Sequence, residues 1–240
     1  MKKILAILFI FLTSICLASG HFELAKRHME EGKFQEAITE LEGCLATGQN
    51  SAKVYYNLGI AHHRLAHLGE AIFYLRQAKI LNPRDSDIDF NLAYIQKTSQ
   101  ASVETGKNIY TSFLDKWPLN EKESLYFLVI IAVLSTIFAI SALILKATLA
   151  NSFAKVGFAL TLVAAATYAY KATSNQAFGV IISQTANVYS GKGISNVLLF
   201  TLHAGTEFQI KEQEEGWLRI NLGKDKSGWL ASGAAITTKK

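Results

Sequence analysis

The chain has 240 residues, half of them hydrophobic, and a formal net charge of +5. That apolar fraction is high for a wholly soluble protein, and it is concentrated in three uncharged runs. Most of the basic excess flanks those runs, and the soluble stretches lack the clustered basic stripe that nucleic-acid binding requires, so nucleic acid is excluded as a partner.

The first run lies in residues 1–20. Lys2 and Lys3 precede an uncharged stretch from Ile4 to Leu12, and Ala18, Ser19 and Gly20 follow. This pattern reads as a secretory signal peptide, too short in its apolar part for a membrane span. Ile15 is bulky where a lipoprotein site before Cys16 needs a small residue, which favours simple cleavage. Cleavage leaves Cys44 alone, so no intramolecular disulfide is expected and the exported part must be held by packing.

Residues 21–99 carry an internal repeat. Offset by 34 residues, Leu24 aligns with Leu58, Ala37 with Ala71, Leu41 with Leu75 and Cys44 with Ala78; a third partial copy sets Leu92 against Leu58. A period of 34 with small residues at fixed places predicts stacked helix pairs. Tyr55, Leu58, Gly59, Ala71, Leu75, Ala78 and Pro83 make the second copy, from Ala52 to Asp85, resemble the tetratricopeptide repeat closely. The first copy is weaker, with Gln49 in place of the proline. Gly59, Ala71 and Ala78 are expected where helices cross, and Pro83 is expected to end the second helix. A third first-helix should run to about Ser99 and cap the stack.

Within this repeat, His63 and His67 stand four apart, a spacing that binds zinc on a helix face. The repeat register argues against a metal. His62 takes an inward position, His63 faces the concave side, His67 falls beyond the inter-helix turn, and no acid or cysteine completes a ligand set. No metal and no cofactor are expected. The register puts Phe22, Lys26, Tyr56, His63, Arg64, Phe90 and Tyr94 on or near a concave groove suited to an extended peptide or a partner helix. Asp87 and Asn91 stand where some members of the family carry basic residues that clamp a peptide carboxylate, so that activity is not carried over.

Residues 100–120 read as a linker in which Ile109, Tyr110, Phe113, Leu114 and Trp117 recur at helical spacing, ready to lie on a membrane surface or to pack on the repeats. Two transmembrane helices are predicted next, at 121–146 and 154–171. The first holds 21 uncharged residues from Leu125 to Leu145, enough for a bilayer core of about 30 Å. The second is shorter, with Lys155 and Lys171 placed to snorkel, and Gly157, Thr161, Ala165 and Ala169 form a stripe of small residues on which a neighbouring helix could close. Lys146 and Lys155 in the connecting loop fit the cytoplasmic side, which puts both flanking regions outside.

From residue 176 to 240 the pattern changes to about five short β-branched and aromatic runs broken by Gly, Asn, Asp and Ser, which predicts a small β-barrel. The order "ANVYSGKG", "LHAGTEFQI", "EEGWLRI", "SGWLASGAAI" resembles the bacterial Src homology 3 domains of exported proteins. That resemblance implies a first core strand at Val188, a diverging turn at Ala204-Gly205-Thr206, and a ligand surface lined by Tyr189, Trp217 and Trp229. The simpler assignment makes Trp217 and Trp229 barrel core, and it is favoured for Trp217.

Together these parts describe a multidomain α+β membrane protein: a tetratricopeptide stack, a two-helix transmembrane hairpin and a Src homology 3-like barrel. No activated nucleophile, paired acids or metal set appears, and the spans carry no ionisable groups of the kind transporters use, so no catalytic residue is assigned and no enzyme is expected. Cys44 reads as a buried small residue. The domain order resembles the BatE-type proteins of the Bacteroides aerotolerance operon. The resemblance implies a non-catalytic scaffold in an inner-membrane complex, both soluble parts facing the periplasm, with von Willebrand factor A-type Bat proteins as partners and a link to oxygen or stress tolerance. The alternative is an envelope sensor whose barrel binds peptidoglycan.

Overall fold

The computed structural model describes residues 20–99, 119, 121–145, 148–174, 177–223 and 226–238. The signal peptide and linker readings lie almost wholly outside them. The described residues fall into two compact units. Five helices and seven strands form one, and two long helices form the other.

In the first unit, α1 covers residues 20–30, α2 Phe34–Ala46, α3 Ala52–Arg64, α4 Leu68–Leu81 and α5 Ser86–Thr98. The predicted helix pairs and the third first-helix are therefore present. Two of the starts, those of α3 and α5, are capped by a side chain. The Ser51 hydroxyl accepts from the Val54 N–H at 3.3 Å, and one Asp85 carboxylate oxygen accepts from the Asp87 and Ile88 N–H groups. The turns are related by the repeat: Gly32 between α1 and α2 has φ +74, and Ala66, 34 residues on between α3 and α4, has φ 61. Glycine adopts that left-handed conformation without steric cost, whereas alanine does not.

Small residues sit where the helices meet. A Cβ on Gly59 would lie 2.6 Å from Leu75 Cγ, so α3 and α4 close to a distance that only glycine allows here. Leu41, Leu58, Ile72, Leu75, Ile88 and Ile95 fill the interior, and Cys44 is buried among them.

The strands are β1 Phe178–Ile181, β2 Thr185–Tyr189, β3 Leu198–His203, β4 Glu207–Glu214, β5 Trp217–Asn221, β6 Ser227–Ala231 and β7 Ala235–Thr237. They form one antiparallel sheet in the order β3-β2-β6-β5-β4-β1-β7. The fold of this unit is thus mixed α+β, helices first and antiparallel sheet after. Seven strands replace the expected five because polar breaks divide the runs: Ile182-Ser183-Gln184 separates β1 from β2, and a single 3₁₀ turn at Ser232–Ala234 separates β6 from β7. The Ala204–Thr206 turn joins β3 to β4, which do not pair; β3 pairs with β2, and β4 with β1 and β5. Gly205 takes φ +86 there, and its N–H donates to the Ile181 carbonyl at 2.8 Å. Val188, Ile181, Leu218, Ile220 and Leu230 form the sheet's own core.

The sheet and the repeats share packing. Phe178, Val180 and Ile236 join the helical core, and the Phe73 and Phe178 rings lie 5.5 Å apart. A Cβ on Gly69 would fall 2.3 Å from the Ile181 carbonyl oxygen, and one on Gly205 would fall 2.8 Å from Ile72 Cδ1. Gln96 Nε2 donates to Glu207 Oε1 at 2.6 Å, and Arg76 pairs with the same carboxylate at 3.5 Å. One face of α4 is therefore occupied by the sheet.

The second unit pairs α6, Glu121–Leu145, with α7, Thr148–Ser174. Both contain stretches long and apolar enough to cross a membrane, of 24 and 19 residues. The second helix begins before the expected residue 154, because nothing in Thr148–Phe153 breaks it. Gly157 packs on Ser135, and the Phe138 and Phe153 rings stand 5.7 Å apart. The small-residue stripe is only partly at the seam. Ala164 is the buried alanine, while Ala169 is exposed.

Candidate interaction surfaces

The residues expected to line a groove come from first helices. Phe22 and Lys26 stand on α1, Tyr56, His63 and Arg64 on α3, Phe90 and Tyr94 on α5. Two contacts tie α3 to α5. Asn91 Nδ2 donates to the Tyr56 hydroxyl at 3.1 Å, and the His63 ring meets Tyr94 edge-on at 6.0 Å. Burial, then the Asp87 and Asp85 carboxylates, push the Tyr56 phenol up. Phe22 and Tyr56 are partly buried against the core, whereas Phe90 is 71% exposed and Tyr94 54%. Lys26 and Arg64 are exposed. Because the sheet sits on α4, it leaves this first-helix face uncovered.

The histidines take different places. Helix α3 ends at Arg64 and α4 starts at Leu68, so His63 and His67 share no helix. His62 meets His67 instead, ring centroids 5.7 Å apart, and stacks on Tyr74 at 5.2 Å. His62 is 9% exposed, and neither of its ring nitrogens has a hydrogen-bond partner in the structure. Burial, with the neighbouring His67 as a lesser cause, pushes its imidazole down to about 4. A neutral imidazole at that site behaves as a flat packing group. Among the described residues no group of three or more His, Cys, Asp or Glu side chains could hold a metal ion. Burial likewise raises the Cys44 thiol, which disfavours the reactive thiolate.

On the sheet, Tyr189, Trp217 and Trp229 are all half-buried. Tyr189 and Trp229 are paired residues on β2 and β6, and Trp217 meets Tyr189 edge-on at 6.1 Å. The placement of Trp217 in the core is corrected. On β5 the alternation buries Leu218 and Ile220, so Trp217 and Arg219 take the opposite face. One member of this surface was not anticipated. Lys192, from a stretch that reads only as turn residues, puts Nζ 4.9 Å above the Trp229 ring and forms an ion pair with Glu214.

Stacked helix pairs with small residues at their crossings define a class of helical repeat. The tetratricopeptide repeat family model matches residues 52–85, which are α3, α4 and the turn leading to α5. The chain therefore carries a tetratricopeptide repeat, a module that mediates protein–protein interaction and is typically non-catalytic. No curated protein matches the chain.

Proposed function

We propose that this chain is a non-catalytic, membrane-anchored interaction scaffold that holds partner proteins in the groove formed by α1, α3 and α5. The observation that carries the reading is the exposed aromatic pair Phe90 and Tyr94, set beside a matched tetratricopeptide repeat. Large exposed aromatics on a rigid helix offer contact area at low entropic cost. The two apolar helices supply the anchor, with the soluble unit on the periplasmic face of a bacterial inner membrane. The sheet serves as a Src homology 3-like barrel. The domain order supports a place in a Bat-type complex with von Willebrand factor A-type partners and a role in oxygen or stress tolerance.

A second reading rests on Tyr189, Trp217 and the Lys192–Trp229 contact, which make a surface suited to cell-wall peptides. Copurification from native membranes separates the two. The scaffold reading expects a von Willebrand factor A-type membrane protein to be recovered with the wild-type chain and lost with Phe90→Ala/Tyr94→Ala. Unchanged recovery from the double variant contradicts it. Binding to purified sacculi that disappears in Tyr189→Ala supports the cell-wall reading.

A further inference from the structure

The turn that leads into β3 projects an apolar corner. Ile194 is 82% exposed, Val197 69%, Leu198 51% and Leu199 46%. Strand alternation would hide every second side chain. Leu199, however, is the extra residue of a bulge opposite Val188 and Tyr189, so Val197, Leu198 and Leu199 are exposed in succession. From Gly193 to Thr206 the chain holds no Asp, Glu, Lys or Arg. Lys192 bounds this run, seated over the Trp229 ring and paired with Glu214. The turn satisfies carbonyls of its own backbone. Asn196 Nδ2 donates to the Lys192 and Gly193 carbonyls at 2.8 and 3.1 Å. The Asn196 N–H donates to the Gly193 carbonyl at 3.2 Å, and the Ser190 N–H to the Val197 carbonyl at 2.9 Å. A turn closed in this way enters a medium poor in water without stranding those carbonyls.

We infer that Ile194, Val197, Leu198 and Leu199 insert into the boundary between headgroups and acyl chains of the bilayer that holds α6 and α7. The inference rests on the membrane anchoring proposed above. The tether favours lipid over another protein as the occupant. Ser174, the last residue of α7, and Phe178, the first of β1, are four backbone steps apart, about 14 Å at full extension. The shape of the corner favours lipid too. Ile194 stands clear of its surroundings, and a deformable lipid layer receives a projecting tip more readily than a flat protein surface does. Among the described residues β3 has β2 as its one strand neighbour, so its other edge needs water and entry stops at the boundary.

The test uses the full chain, lacking Cys16 and Cys44, in vesicles of phosphatidylethanolamine and phosphatidylglycerol. An environment-sensitive fluorophore is attached at Ile194→Cys or, as a control, at Glu215→Cys on the exposed turn between β4 and β5. The label at 194 should emit to the blue of the label at 215. It should also lose most of its emission when the lipid carries a nitroxide high on the acyl chain, while the label at 215 loses little. Adding Leu198→Glu should abolish both effects, and Leu198 is half exposed, so the sheet keeps its core. Emission at 194 that ignores the nitroxide lipid overturns the inference, as does quenching that survives Leu198→Glu. A blue shift without quenching overturns it as well, because protein, such as a second copy of the chain, then covers the corner. Alkaline carbonate extraction of the same vesicles tells this failure from failure of the anchor. If the chain stays with the lipid while the label at 194 is not quenched, the anchor stands and the insertion falls. If the chain is released, both fall.

Discussion

Acid should loosen the repeats through His62. The imidazole is buried at the contact of α3 with α4, stacked on Tyr74 and facing His67, with no hydrogen-bond partner in the structure for either nitrogen. Its usual value of 6.5 falls to about 4 in the fold. The unfolded chain therefore binds a proton at a pH where the folded chain does not, and protonation favours unfolding. The stabilisation is present above about pH 6.5 and is lost as the pH falls toward 4. The full shift corresponds to about 3 kcal/mol, and the part lost between pH 7 and pH 5 to about 2 kcal/mol. The assay is hydrogen exchange of the α3 and α4 amides in the detergent-solubilised chain at the two pH values, corrected for intrinsic rates. Wild type should open about 30-fold more often at pH 5. His62→Phe keeps a flat ring on Tyr74, removes the titration, and should show little change. Nearby Glu42, Glu70, Tyr55 and Tyr74 are common to both chains, so their titration cancels in the comparison. Equal pH responses in the two chains would refute the reasoning.

Other perturbations follow from the same packing. Ala66→Gly relieves a left-handed alanine at the α3–α4 turn and should stabilise the repeats by up to about 1 kcal/mol, read as a raised Tm; a lowered Tm counts against it. Gly69→Ala forces a methyl group onto the Ile181 carbonyl and should cost about 1–3 kcal/mol, with faster protease cleavage between sheet and repeats; an unchanged Tm would mean that the seam yields freely. The Cys44 thiol is buried and its ionisation is disfavoured, so a soluble disulfide reagent should modify it only after denaturant opens the repeats; rapid modification of the folded chain would contradict its burial.

Much of the helical architecture was legible because a 34-residue period repeats the same crossing geometry. Gly59, Ala71 and Ala78 marked the crossings, and Pro83 marked the boundary before α5. The docking of the sheet on α4 was not legible. Gly69, Ile72 and Phe73 look like ordinary helix residues in sequence, and their contacts come from strands more than 100 residues away. The orientation of Trp217 was also hidden. Strand alternation fixes which residues share a face but leaves open which face is inside until Leu218 and Leu230 are seen packed together. Lys192 gave no signal, because a turn lysine becomes part of a surface only when the fold sets Trp229 beneath it.

The scaffold account turns most directly on where the soluble unit lies. Single cysteines placed at the exposed Lys97 on α5 and Glu215 between β4 and β5, in a chain lacking Cys16 and Cys44, can be probed in intact spheroplasts with a membrane-impermeant maleimide. The account predicts that both label before lysis. Labelling of either position only after the inner membrane is broken would contradict it.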